Sequence, residues 1–498
     1  MGTSEDSTQK GAMFMAGLTL LQSLRVALTG AKFAMDRFKI PQQYASSFIN
    51  MVHNPMELAT FTGMAIMTGL SFAPGLNNYF KYLAAVTNMT LCLSFIILLI
   101  AFTSGGQMGD LTFYYWTIVF GSFIYGMNVA TVMTVASADA ALFNVGIPLS
   151  GIQVSLYYFI FTKLANRYKW SNVSYKIIVW QLVIAILISA ISAGLWIAVA
   201  ITTEGAKEDG QSASLGEAYK AWSPILMGVV GMGGIYAFYP AIAPYKLTDV
   251  GTGYTIDLVV LFVSAVPGIL IVILCLEQVG IGPDQPWENL YALWHLAWIL
   301  AIPHITVMFL CLYILHHPYG RLASSVKSSG LKVGLITITL KFNEEWLKAV
   351  SYAGGGKQNG KYCTECKEKN CQGDCQCGCN CSGSSGSCVP ENCTSTNCQC
   401  CKDKGGTIAC LNTFTSQGLM LVLAFTGDGY LKTYSKYEND RDKWPTKDFG
   451  FFKSLGYWIG SGVSEACKSV KSSFTKNVRC KVLGKSEALL IVYEDQEF

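Results

Sequence analysis

Residues 83–103 read LAAVTNMTLCLSFIILLIAFT and residues 176–202 read KIIVWQLVIAILISAISAGLWIAVAIT, and together they carry one charge, Lys176. A helix needs about 20 apolar residues to cross a hydrocarbon core about 30 Å thick. Both stretches meet that length. The core tolerates no lipid-exposed irregular backbone, and neither stretch shows the alternation of a barrel strand, so both read as transmembrane helices. Working outward, 112–136, 141–163, 222–243 and 254–276 have the same character, and 56–75 is weaker. Segment 289–315 holds Pro303 near its middle and reads as one kinked span or a broken one. The first segment, 12–30, contains Arg25, which is placed toward one end where it can snorkel. It lacks the basic lead and small-residue cleavage site of a signal peptide. The expected fold is an all-α polytopic membrane protein of nine transmembrane helices, or eleven if 414–426 and 450–463 also cross.

The composition agrees. Of 498 residues 51% are hydrophobic and only 14% charged, against about 25% charged in soluble domains. That excludes a soluble enzyme and a disordered chain, and a net charge of +4 offers nothing to a nucleic acid. Membrane lipid is the expected partner, with the plasma membrane favoured. The chain divides into a polar tail (1–11), the main membrane domain (12–317), a polar and cysteine-rich insert (318–411), a marginal membrane segment (412–467) and a basic tail (468–498).

Thirteen of the 18 cysteines fall in the insert: Cys363, Cys366, Cys371, Cys375, Cys377, Cys379, Cys381, Cys388, Cys393, Cys398, Cys400, Cys401 and Cys410. Their neighbours are Gly, Ser, Asn, Gln and Thr, which cannot form an apolar core. Such a segment is held by disulfides in an oxidising compartment, by Zn²⁺ or Cu(I) in a reducing one, or is a passive insertion. No histidine lies among the cysteines, so a Cys₂His₂ finger is excluded. Three N-x-S/T triplets, at Asn172, Asn380 and Asn392, fall in odd-numbered loops. With nine spans, the odd loops carry eleven Lys and Arg residues while the N-terminal tail and the even loops carry four. The positive-inside rule then sets the N-terminus outside and the cysteines in the cytosol.

Ionisable groups within spans are costly and mark pathways. His295 and His304 flank Pro303 and are pathway candidates. Asp257 and Glu277 read as interfacial, and Asp139 as a turn cap. Gly146, Pro148 and Gly151 in one span, and Gly228, Gly231, Gly233, Gly234, Pro240 and Pro244 in and after another, suit either broken helices around a midplane site or close packing. No nucleotide cradle, H-E-x-x-H, G-x-S-x-G or paired-carboxylate motif is present, so an enzyme is not expected and no cofactor is implied.

Pro148-Leu149-Ser150-Gly151-Ile152-Gln153, Phe238-Tyr239-Pro240-Ala241-Ile242 and Gly427-Asp428-Gly429-Tyr430-Leu431 resemble, in order, the M-S-G-Q, F-P-A and N-G-Y-L stretches of the equilibrative nucleoside transporters. The resemblance implies a relative of the major facilitator bundle that moves a nucleoside or similar small polar solute by alternating access. Ser150, Gly151, Gln153, Phe238 and Pro240 would then shape the path. It also implies a cytosolic N-terminus and an extracellular insert, opposite to the charge count. The sequence departs from the pattern at Ile152, which separates Gly151 from Gln153, and at Asp428. The family's D-x-x-G-R is absent from 254–276, where Ser264-Ala265-Val266-Pro267-Gly268 stands; His317-Pro318-Tyr319-Gly320-Arg321 follows one span late and without the acid. In general build the chain also resembles the Tpr-related multi-spanning families of tick-borne apicomplexan parasites. The alternative function is a surface or host-interaction role carried by the cysteines, without transport.

Overall fold

The computed structural model describes residues 2–41, 44–73, 76, 79–202, 215–276, 279–359, 361–365, 374–376, 399–403, 405–438, 440–474 and 477–483. Within them run α1 (Ser7–Leu28), α2 (Ala45–Ser71), α3 (Phe80–Thr103), α4 (Leu111–Val135), α5 (Ser137–Arg167), α6 (Val173–Thr202), α7 (Gly216–Phe238), α8 (Gly251–Cys275), α9 (Asn289–His316), α10 (Gly330–Gly355), α11 (Gly406–Tyr437) and α12 (Phe451–Ser473). Nine are long and apolar enough to cross a membrane. The other three, α2, α10 and α12, have 27, 26 and 23 residues and so also reach spanning length, but are more polar. The chain is therefore an integral multi-pass membrane protein. Leu93, Ile100, Phe120, Leu187, Ile191, Phe309, Leu335 and Val422 lie exposed around the bundle, as lipid-facing side chains do.

Helices α1–α5 and α7–α11 form two sets that share a packing pattern. In the first, α1 packs on α5, α2 on α4 and α3 on α4; in the second, α7 packs on α11, α8 on α10 and α9 on α10. Each pair of the second set is a pair of the first shifted by six helices. The contacts between halves obey the same relation, α2 against α11 and α8 against α5. Crossings close up where glycines face backbone: a Cβ on Gly146 would lie 2.6 Å from the Phe14 carbonyl oxygen of α1. Close packing thus accounts for that glycine.

Pro303 does not break α9. Residues Asn289–Leu300 form a 3₁₀ helix and the α-helix begins at Ala301, so the proline falls in a first turn, where its missing N–H is harmless. Several segments expected to be marginal are longer. The polar stretch 318–411 yields all of α10, 414–426 is the middle of α11, and 450–463 opens α12. What remains of the insert holds β1 (Lys361–Glu365), β2 (Asp374–Gln376) and β3 (Gln399–Asp403) in an antiparallel sheet of order β1-β3-β2. Its register sets Cys363 opposite Cys401 and Cys375 opposite Cys400. Cys366, Cys371, Cys377, Cys379, Cys381, Cys388, Cys393 and Cys398 lie outside the described residues, as do Glu277, Asn380 and Asn392. Cys410 belongs to α11 rather than to the insert: it is a buried free thiol whose sulfur lies 3.1 Å from Thr68 Oγ1.

Candidate functional site

A layer of ionic side chains sits inside the bundle, supplied by both halves. On α10 the sequence Lys341-Phe342-Asn343-Glu344-Glu345-Trp346-Leu347-Lys348 puts charges three, four and seven residues apart, on one helical face. Lys341 bonds Glu344 and, at 3.1 Å, Glu345; Lys348 meets Glu345 at 2.5 Å. All four are buried or nearly so, which an apolar interior permits only because the charges cancel. The Lys341 ammonium also lies 5.8 Å from the centre of the Tyr239 ring, beyond the end of α7. Tyr239 and Tyr245 both set their hydroxyls against the Asp257 carboxylate of α8.

From the first half, α2 contributes His53 and Glu57 one turn apart, 3.4 Å between Nε2 and Oε1. Gln417 of α11 donates to the other Glu57 oxygen at 2.6 Å, joining the halves through an amide–carboxylate bond. The His53 ring stands edge-on to Tyr236 of α7, 4.9 Å between centres. Arg25 of α1 lies in electrostatic reach of Tyr125, Tyr236 and Tyr239. Among the described residues its side chain makes neither a hydrogen bond nor an ion pair, and its Nε is buried without a partner. It does not snorkel out of the bundle. Asp257, near the start of α8, turns into the bundle, its Oδ1 buried and unpartnered.

The residues singled out in the sequence divide. Gly151 belongs to this layer: a Cβ there would lie 3.0 Å from Arg25 Nη2 and 3.1 Å from Leu261 Cδ2, so glycine leaves room for the guanidinium. Ser150 is fully buried and donates to the Ile147 carbonyl of its own helix at 2.6 Å. Gln153 accepts from Gln22 at 3.0 Å, and Gln22 accepts from Gln181 at 2.9 Å, an amide chain linking α5, α1 and α6 within one half. Phe238 packs between two apolar clusters, and Pro240 lies in the turn beyond α7. His304 is buried with Nδ1 3.1 Å from the Leu340 carbonyl, directly before Lys341. His295 lies apart from it, near the start of α9, with Nδ1 2.9 Å from Ser223 Oγ and its ring between Trp222 and Trp287. Asp139 accepts from Gln9 at 2.9 Å, tying the start of α5 to α1. Gly427 through Leu431 packs against α7 and α12, where Tyr430 bonds His316 at 2.9 Å. The ions of α2 and α10 were missed; their signal was the spacing of opposite charges along one helical face. Among the described residues no group of His, Cys, Asp and Glu could hold a metal ion.

No protein-family model and no curated protein matches the chain. Among solved structures it is similar to the major facilitator superfamily proton:xylose symporter XylE bound to 6-bromo-6-deoxy-D-glucose, with 10% identity, 95% of this chain and 96% of that one covered, and a TM-score of 0.49. A bacterial homologue of the iron transporter ferroportin, in an outward-facing state, matches at 10% identity over 94% of this chain and 99% of that one, TM-score 0.47. The nucleoside transporter NupG matches at 11% identity over 95% and 100%, TM-score 0.40. Each is a likeness of overall build.

Proposed function

We propose that the chain is a transporter that moves a nucleoside or similar small polar solute by alternating access between its two halves. One observation carries the reading: ions from both halves meet inside an apolar bundle, where each has a desolvation cost that a purely anchoring bundle would not need to bear. Arg25, Glu57 and Tyr125 come from one half; Tyr236, Tyr239, Asp257, Lys341 and Glu344 come from the other. Rocking one half on the other changes how these groups face one another, which is the requirement for exposing a central site first to one side and then to the other. Radiolabelled uridine, adenosine and other small polar solutes are offered to proteoliposomes containing the full chain. Saturable uptake that falls with Glu57→Gln supports the proposal, and no uptake of any solute above empty liposomes refutes it.

A second reading, a binding role for the insert, is favoured by the strand register that faces Cys363 with Cys401 and Cys375 with Cys400. The insert leaves and rejoins the bundle at one point, because the backbones of Gly356 and Gly405 touch. Replacing 358–403 by a short Gly-Ser linker therefore spares the helices. Transport survives this deletion if the bundle is the working part; binding to a cell surface is lost if the insert is.

A further inference from the structure

Most of the inward-facing ions are held by side chains of the chain itself. Glu57 is held by His53 and Gln417, Glu344 and Glu345 by Lys341 and Lys348, and Asp428 by Lys432 at 2.7 Å. Among the described residues, two ions of this layer make no ion pair, Arg25 in the first half and Asp257 in the second, both half-buried and each with one buried atom that finds no hydrogen-bond partner. They have opposite signs, and the helices that carry them meet at Gly151 of α5. The place a Cβ would take at Gly151 touches both Arg25 Nη2, at 3.0 Å, and Leu261 Cδ2, at 3.1 Å. Leu261 is one turn after Asp257 on the same face of α8. Tyr239 sets its hydroxyl toward Asp257 and lies in electrostatic reach of Arg25.

A half-buried ion without an ion pair still carries part of its desolvation cost, which an opposite charge on the solute would offset. A neutral solute would leave both unmet, and a simple anion would leave Asp257 unmet. Resting on the transporter reading above, we propose that the solute is a small zwitterion, with a carboxylate in the fork of Arg25 and an ammonium group at Asp257. The guanidinium presents paired N–H donors that match a carboxylate, the tyrosine hydroxyls orient the Asp257 oxygens, and Gly151 gives the guanidinium room to lie there.

The test uses the full chain in proteoliposomes with three radiolabelled sets: neutral α-amino acids, the α-hydroxy acids of the same side chains, and nucleosides. The amino acids are expected to enter saturably and at least tenfold faster than the other two sets. Arg25→Gln and Asp257→Asn each lower that uptake at least tenfold, and Asp257→Asn shifts the preference toward the hydroxy acids, which a merely misfolded variant would not do. Wild-type uptake led by nucleosides or hydroxy acids overturns the zwitterion while transport stands. Loss of nucleoside uptake in both single variants, with recovery in the Arg25→Asp/Asp257→Arg swap, also overturns it, since the two ions then form a gate. Where nothing enters, melting in detergent decides: a rise with amino acids that Arg25→Gln abolishes keeps the zwitterion site and removes transport, and no rise overturns both.

Discussion

The crossing of α2 and α4 makes one substitution act with opposite signs at two places. A Cβ on Gly126 would overlap the Thr60 carbonyl oxygen, lying also 2.7 Å from its carbon and 3.0 Å from the Met64 nitrogen. All three are backbone atoms, so no rotamer change relieves the clash and the helices must separate by about an ångström. Overpacking of this kind costs about 1–3 kcal/mol. Separation also strains the bond from Thr60 Oγ1 to the Ser122 carbonyl, 3.2 Å long, of a type that averages about 0.6 kcal/mol in membrane bundles. On α6, Gly194 has nothing within 4 Å of its Cβ position, so alanine there yields only the gain in helix propensity, up to about 1 kcal/mol. At roughly 2–4 °C per kcal/mol for a unit the size of one half, Gly126→Ala lowers the melting temperature in detergent by about 2–10 °C and Gly194→Ala leaves it level or raises it by a few degrees. Equal shifts for the two variants, or a stabilised Gly126→Ala, would refute the close approach of α2 and α4.

Other perturbations follow from the same contacts. Lys341→Met strands Glu344 in the interior while Glu345 keeps Lys348, and is expected to cost about 3–5 kcal/mol, seen as a lower melting temperature that adding Glu344→Gln partly restores. Arg37, on the short helix Ala31–Arg37, donates to the carbonyls of Phe102, Ser104 and Gln107 at 3.2, 2.9 and 3.0 Å, capping the end of α3. Arg37→Ala should remove about 1–2 kcal/mol, with faster hydrogen exchange confined to residues 100–110. The Asp249 carboxylate caps α8, accepting from the Thr252 N–H at 2.9 Å, and that bond holds its pKa below the usual aspartate range. A lowered folded-state pKa gives stability that is present above the unfolded value and lost as pH falls through the folded one. The gap in melting temperature between wild type and Asp249→Asn should therefore be full at pH 7 and close in acid; a gap that widens in acid contradicts the cap.

What the sequence disclosed followed from how hydropathy sums. Spans such as 83–103 are apolar at nearly every position, so their reading survives any packing. Helix α10 is not: Lys341, Glu344, Glu345 and Lys348 each lower the sum, and a residue-by-residue count cannot register that they neutralise one another. The same holds for α2, whose third and fourth turns hold His53, Asn54, Pro55 and Glu57, so that the expected span began at 56 while the helix begins at Ala45. Gly151 was legible as a residue of interest because a small side chain in a span needs a reason, and the guanidinium beside it is that reason. Ser150 and Gln153 were equally visible as polar residues, but their partners lie within their own half, a fact of helix rotation that no one-dimensional pattern contains.

The helix hidden by its charges also changes the face from which the cysteines emerge. With nine spans the insert follows an odd crossing and sits opposite the start of the bundle. Helix α10 adds a crossing, because Gly330 at its start lies against Thr252 at the start of α8 while Gly354 at its end lies against Trp287, just before α9. Gly356 then sits beside Ser137 at the start of α5, and Asp139 there bonds Gln9 of α1. The insert therefore leaves from the face on which α1 begins, and Lys32, Arg37, Lys39, Lys169, Lys246, Arg321 and Lys327 remain on the other. Basic loops favour the cytosol, so the charge rule with α10 counted predicts the insert on the opposite side, the oxidising one where disulfides persist. With nine spans the charge rule and a disulfide-held insert were in conflict; with α10 counted they agree. An N-terminal epitope and the insert's cysteines, after reduction, should both be reached by impermeant reagents on intact cells, while a Tyr319→Cys reporter, at a side chain 88% exposed in the loop before α10, should need permeabilisation. Labelling of the insert together with position 319 would remove α10 as a crossing.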